Sequence, residues 1–128
     1  GTAYLEFYKT KVPEQVYETS WQRLFTEGEF EPRGFIALVD GKTVGLVHYL
    51  YHRSMWSLEG NCYLQDLFTD ASARGKGVGA ALIEAVRQAA AERGVTNVYW
   101  MTEETNDTAR ALYDRVSRRT GFIEYDLL

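Results

Sequence analysis

The sequence predicts an α/β domain with a mixed sheet, and three features carry that reading. An antiparallel hairpin occupies Phe35 to Tyr51, a strand, helix and strand follow between Cys62 and Met101, and a glycine-rich turn, Arg74-Gly75-Lys76-Gly77-Val78-Gly79, joins the first of those strands to the helix. A hairpin makes antiparallel pairs, whereas a strand, helix, strand unit demands a parallel pair with a right-handed crossover. Bulk composition agrees with a single domain. The chain has 128 residues, of which 45% are apolar and 14% aromatic, enough for a core of its own.

Taken in order, residues 1 to 9 read as the end of a helix, with Tyr4, Leu5 and Tyr8 at helical spacing. Pro13 sits where a first helical turn tolerates it, and Val16, Ser20, Trp21 and Leu24 give a second helical stripe up to Phe25. Phe35 to Val39 is apolar on both faces, so it belongs inside the sheet. Asp40-Gly41 is a tight-turn signal, and Val44 to Tyr51 is the returning strand. Residues 54 to 61 read as a connection, and Cys62 to Thr69 as a third strand. After Gly77 the period becomes helical, with Ala81, Leu82, Ala85, Val86, Ala89 and Ala90 on one stripe until Gly94 stops it. Val98 to Met101 is a short buried strand. Asn106 caps a last helix carrying Ala109, Leu112, Tyr113 and Val116, Gly121 ends it, and Phe122 to Leu127 is a final strand.

Several function classes are disfavoured by composition. Fourteen basic against 18 acidic residues, a formal charge of −4, do not suit duplex nucleic acid, which wants clustered Lys and Arg. A cationic partner fits better. Cys62 is the sole cysteine, so no intrachain disulfide can form, and no Cys/His set has the spacing of a zinc site. No metal is expected, and the default setting is reducing and cytoplasmic. No apolar run approaches the roughly 20 residues of a membrane helix, and no signal-peptide pattern opens the chain, so neither membrane nor secretion is expected.

The glycine loop is the strongest chemical signal. Three glycines at alternate positions remove side chains where backbone N–H groups point outward at a helix start, and Arg74 and Lys76 add charge beside them. That is a cradle for phosphate or pyrophosphate. The plain alternative is a tight strand-to-helix turn with no ligand. Gly75, Gly77 and Ala80 also satisfy a dinucleotide fingerprint, with Glu103 where a ribose-binding acid could stand. That fingerprint normally follows a first parallel strand and precedes several more units, whereas here a hairpin precedes the loop and one crossover follows. A nucleotide-triphosphate loop fails, because no Gly-Lys-Ser or Gly-Lys-Thr follows.

The stretch from Cys62 to Phe122 resembles the GCN5-related N-acetyltransferase (GNAT) superfamily. Arg74-x-x-Gly77-x-Gly79 matches its signature, and Tyr63 to Phe68 and Asn106-x-x-Ala109-x-x-x-Tyr113 are similar to its polyamine and histone acetyltransferase branches. The resemblance implies the family's acyl-CoA N-acyltransferase fold, with the two central parallel strands splayed apart and acetyl-CoA as cosubstrate between them. It implies that the N–H groups of Gly75, Lys76, Gly77, Val78, Gly79 and Ala80 hold the coenzyme A pyrophosphate, beside Arg74. Leu67, Phe68 and Thr69 would bond the pantetheine arm, and Asn106 would meet it from the other side. Such domains usually begin with a strand, whereas this chain, read as opening inside a helix, lacks it. The longer interval from Tyr113 to Gly121 suggests one extra helical turn. The expected partner is a small-molecule or peptide amine, and a homodimer is compatible with the sequence.

An amine of pKa about 10.4 is neutral only about once in 10³ to 10⁴ molecules at pH 7, a burden of roughly 4 to 5 kcal/mol. A base therefore matters, and the departing thiolate needs a proton. Tyr113 lies two helical turns beyond Asn106 on the same face and is the candidate acid; the plain alternative is a core aromatic. The polyamine branch commonly places glutamate where this chain has Gln65, which cannot take a proton. Asp66 is the remaining carboxylate on that strand, but it points to the opposite face unless a bulge intervenes. Glu103 and Glu104 could attract a cationic substrate or be ordinary solvated charges. Cys62 invites an acyl-enzyme scheme with His48 or His52, against the simpler reading of a buried thiol. His48 and His52 alternate with Tyr49 and Tyr51, so one pair packs in the core while the other lines a cleft. A module that binds the coenzyme without catalysis is the alternative function.

Overall fold

The computed structural model describes residues 5–10 and 32–127. Five strands form one sheet in the order β1-β2-β3-β4-β5: β1 Leu5–Thr10, β2 Arg33–Val39, β3 Lys42–Ser54, β4 Ser57–Thr69 and β5 Val98–Tyr99. Helix α1, Val78–Glu92, joins β4 to β5, and α2, Asp107–Val116, follows β5. The first three pairings are antiparallel and β4 with β5 is parallel, which is the mixed sheet that the hairpin and crossover predict.

The interior place expected of Phe35 to Val39 is found, since β2 lies between β1 and β3. Five expectations need correction. Residues 5 to 10 are a strand, not a helix end, with Leu5 opposite Val39 and Thr10 opposite Gly34. The edge strand taken to be missing is thus supplied by Leu5–Thr10, because the backbone groups along the outer edge of β2 need partners. The connection over residues 54 to 61 is largely strand: β3 and β4 form a long hairpin that turns at Met55 and Trp56, with Ser54 opposite Ser57. Phe122 to Leu127 is no strand. Its Phe122, Ile123, Tyr125 and Leu127 side chains are exposed, and no described strand pairs with it. Alternation in sequence does not make a strand without a partner edge, and β5 offers only two residues. The extra turn before Gly121 is absent too, since α2 ends at Val116 and the Ser117 N–H and hydroxyl both donate to the Tyr113 carbonyl. The helix expected from Pro13 to Phe25 lies outside the described residues.

The core lies between the sheet and α1. Val47, Tyr49 and Tyr51 of β3, with Cys62 and Leu64 of β4, meet Val78, Leu82, Val86 and Ala90 of α1; Leu82, Val86 and Ala90 belong to the stripe read from the sequence, and Val78 extends it. Phe35 stacks on Tyr49 at 5.7 Å, and the Arg93 guanidinium caps Tyr51 at 3.9 Å. His48 and His52, at the alternate positions of β3, stand on the opposite face. Of the two pairs, the tyrosines are the one that packs in the core.

Burial acts on the titration of this core. It pushes the Tyr49 hydroxyl from its ordinary 10.0 up to about 12, with the neighbouring Tyr51 adding to the shift, and the Cys62 thiol from 9.0 up to about 11. The folded chain holds these protons more tightly than the unfolded one. Stability is therefore whole below about pH 9 and is lost as pH climbs through the folded values, by on the order of 2 kcal/mol per group. Melting temperature measured from pH 8 to 12 is expected to drop steeply above pH 9. A flat profile would contradict this core.

Candidate active site

The parallel pair is brief, and its brevity makes the site. Cys62 pairs with Val98 and Tyr63 with Tyr99; beyond them β5 ends, while β4 runs on for six more residues to Thr69. From Leu64 to Thr69 the β5 side of β4 faces no strand among the described residues, so backbone groups there are available to an extended ligand. The opening is flanked by the start of α1 and by α2. A Cβ placed on Gly79 would stand 2.8 Å from Leu112 Cδ2 and 3.7 Å from Thr69 Cγ2, which shows how closely β4, α1 and α2 converge there.

At the mouth of the opening the glycine loop does what its spacing requires. Asp70 caps a short turn, Ala71–Ala73, and Gly75 and Gly77 both take φ of 78°, the left-handed region that side chains resist. Gly77 is the N-cap of α1 and has no side chain to cap it. The Arg74, Lys76 and Ala81 N–H groups bond within the turn, whereas among the described residues those of Gly75, Gly77, Val78, Gly79 and Ala80 have no backbone acceptor. Five N–H groups without a backbone acceptor at the positive end of a 15-residue helix have the chemistry to hold an anion. A shallow groove of about 390 Å³ between the loop and the β2 to β3 turn brings Lys42 beside Lys76, a neighbour that sequence reading missed.

A bulge decides where Asp66 points. His48 is opposite Asp66 but Tyr49 is opposite Leu64, so Gln65 is the extra residue of β4. One inserted residue reverses the alternation beyond it. Leu64 and Leu67 consequently share the core face, and Asp66 turns to the face of His48, where its Oδ2 lies 3.2 Å from His48 Nδ1. The carboxylate accepts, so Nδ1 carries the proton. On the same face the His52 Nδ1 donates to the Arg53 carbonyl at 3.0 Å, and the Tyr99 hydroxyl donates to His52 Nε2 at 2.7 Å. Tyr63 lies against Tyr99 with ring centroids 5.1 Å apart.

Tyr113 approaches from the other side. Its ring packs edge-on against Trp100 at 5.4 Å, half-buried between α2 and the core, and burial raises its pKa, so the hydroxyl keeps its proton at neutral pH. Asn106 caps α2, its Oδ1 accepting from the Ala109 N–H at 3.4 Å and its amide donating to Thr102 at 3.4 Å. Glu103 and Glu104 are exposed, and the Glu104 carbonyl receives the Arg110 guanidinium. The acyl-enzyme scheme fails on geometry: Cys62 is sealed in the core with its thiol held protonated, on the face opposite His48 and His52. His48 as partner of Asp66, and Trp100 as partner of Tyr113, were missed by sequence reading. The alternation on β3 hinted at the first.

Comparison with known proteins agrees with this architecture. The chain is 37% identical over 95% of its length to the D-amino-acid N-acetyltransferase HPA3 of Saccharomyces cerevisiae, covering 76% of that protein. It superposes on the ribosomal-protein-alanine N-acetyltransferase of Brucella melitensis biovar Abortus 2308 with a TM-score of 0.78 at 16% identity, covering 98% of this chain and 99% of that one. For the aminoglycoside N-acetyltransferase AAC(6')-Iy in complex with CoA the TM-score is 0.79 at 15% identity, over 98% and 95% of the two chains. The model of the acetyltransferase (GNAT) family matches residues 3–117, and the chain belongs to that family.

Proposed function

We propose that the protein transfers the acetyl group of acetyl-CoA to the primary amine of a small molecule, by direct attack within a ternary complex. The observation that carries this is the opening between β4 and β5, with the N–H groups of Gly75, Gly77, Val78, Gly79 and Ala80, which have no backbone acceptor among the described residues, at its mouth. In this reading those groups, with Arg74 and Lys76, hold the pyrophosphate. Leu67, Phe68 and Thr69 bond the pantetheine along the unpaired side of β4, and Asn106 meets it from α2. Asp66 supplies the basic side of the reaction, and the Tyr113 hydroxyl protonates the departing sulfur.

An amino acid is the favoured acceptor, since the relative at 37% identity is a D-amino-acid N-acetyltransferase. Polyamines and lysine side chains, suggested by Asn106-x-x-Ala109-x-x-x-Tyr113, are the second choice. A reducing cytoplasm suits the single buried thiol of Cys62.

Calorimetric titration with acetyl-CoA is expected to show 1:1 binding. A thiol-release screen over D- and L-amino acids, polyamines and lysine peptides is expected to show turnover with the first class. Binding without release for any amine would make the protein a coenzyme-binding module, and no binding would reduce the loop to a turn.

A further inference from the structure

We propose that the base is His48, held by Asp66, and that Asp66 acts through it; the inference rests on the acetyl-transfer reading above. Three observations on one face of the sheet converge. The bulge at Gln65 turns Asp66 toward His48, and the carboxylate fixes the proton on Nδ1, so the neutral ring keeps its lone pair on Nε2. That Nε2 is buried and has no hydrogen-bond partner among the described residues. Buried polar atoms are rarely left so without a reason. Among the described residues two other buried side-chain atoms lack partners, Arg33 Nε and the Tyr49 hydroxyl, and both belong to the aromatic core of the helix side, Arg33 over Tyr51 and Tyr49 in the core itself. His48 Nε2 stands alone on the opposite face.

Opposite His48 on β2 is Gly34, which has no side chain, and opposite on β4 is Asp66, the charged group that faces the ring among the described residues. His52, four residues along the same strand, is already committed to Arg53 and Tyr99, which leaves His48 as the imidazole with a free acceptor. Base and acid also stand on opposite faces of the sheet, with His48 on one face and Tyr113 on the α1 side.

Protons balance as follows. The acceptor ammonium loses two on its way to the amide: His48 Nε2 takes the first and passes it to water, after which nitrogen attacks the thioester carbon. As the C–S bond breaks, the Tyr113 hydroxyl protonates sulfur, and the second nitrogen proton, relayed by water, restores the tyrosine. Asp66 stabilises the imidazolium while it exists, as the third member of any nucleophile and base pair does.

The test compares wild type, His48→Gln, Asp66→Asn and the double variant, using the best acceptor from the thiol-release screen. At pH 7, His48→Gln is expected to lower kcat by about 10² to 10⁴-fold, with the dissociation constant for acetyl-CoA unchanged. Its rate should then climb about tenfold per pH unit toward the acceptor's pKa, as hydroxide replaces the missing base, while the wild type levels off. Adding imidazole to His48→Ala should restore part of the rate. Asp66→Asn should lose less than His48→Gln, and the double variant no more than His48→Gln alone. Equal turnover in His48→Gln, or a larger loss in Asp66→Asn than in His48→Gln, would overturn the assignment and leave Asp66 as the direct base. A wild type that binds acetyl-CoA but acetylates nothing would instead defeat the acetyl-transfer reading itself.

Discussion

Replacing Tyr113 by Phe is expected to cut turnover by about 10² to 10⁴-fold while acetyl-CoA binds as before. The asymmetry follows from the structure. The ring packs on Trp100 at 5.4 Å and against the core beside Leu112, and Phe keeps all of that contact. Only the hydroxyl is removed, and burial holds its pKa above the ordinary value, so at neutral pH it is a donor and not an anion. A donor aimed at a developing thiolate contributes in the transition state and little to ground-state binding, so kcat falls and the coenzyme dissociation constant stays. Steady-state thiol release and calorimetry on the same preparation measure the two quantities. Equal turnover in Tyr113→Phe would return the residue to the role of a core aromatic.

Gly60→Ala is expected to lower stability by roughly 2 to 4 kcal/mol, the largest loss that a single methyl group should cause here. Gly60 adopts φ of 80°, and a Cβ on it would stand 2.7 Å from the His52 carbonyl oxygen. Left-handed strain and a clash with backbone thus add, and backbone across a paired hairpin cannot swing aside as a side chain would. The position is a second irregularity of the β3 to β4 register, between His52 and Ser54. Denaturant unfolding should show the loss as a lower midpoint with the slope unchanged. Because His52 bonds Tyr99 across to β5, the variant should also loosen the sheet at the base of the opening. Unfolding at the wild-type midpoint would show that the hairpin end can shift freely.

Most of the glycine turn and of the two helices beside it was legible in the residues. Gly75 and Gly77 announce positive φ, Asn106 announces a cap, and the stripe through Leu82, Val86 and Ala90 announces a buried helix face; each is a local preference that survives in the structure. The two ends of the described chain were not legible. Leu5, Tyr8 and their neighbours carry a helical spacing, yet they pair with β2, since the unpaired edge of a strand distant in sequence outweighs a weak local period. Phe122 to Leu127 carries a strand pattern, yet lies unpaired and exposed.

What the sequence determined by itself, then, is the mixed α/β class, the glycine turn of Arg74 to Gly79 at the start of a helix, and the placing of Asn106 and Tyr113 on one last helix. Those depend on backbone preferences and periods that a few adjacent residues set. Only the tertiary structure decided that Leu5–Thr10 closes the sheet edge, that β4 and β5 part after Tyr63 and Tyr99, and that Gln65 bulges so that Asp66 meets His48. The reason is that strand pairing is non-local, and one extra residue reverses every side chain beyond it.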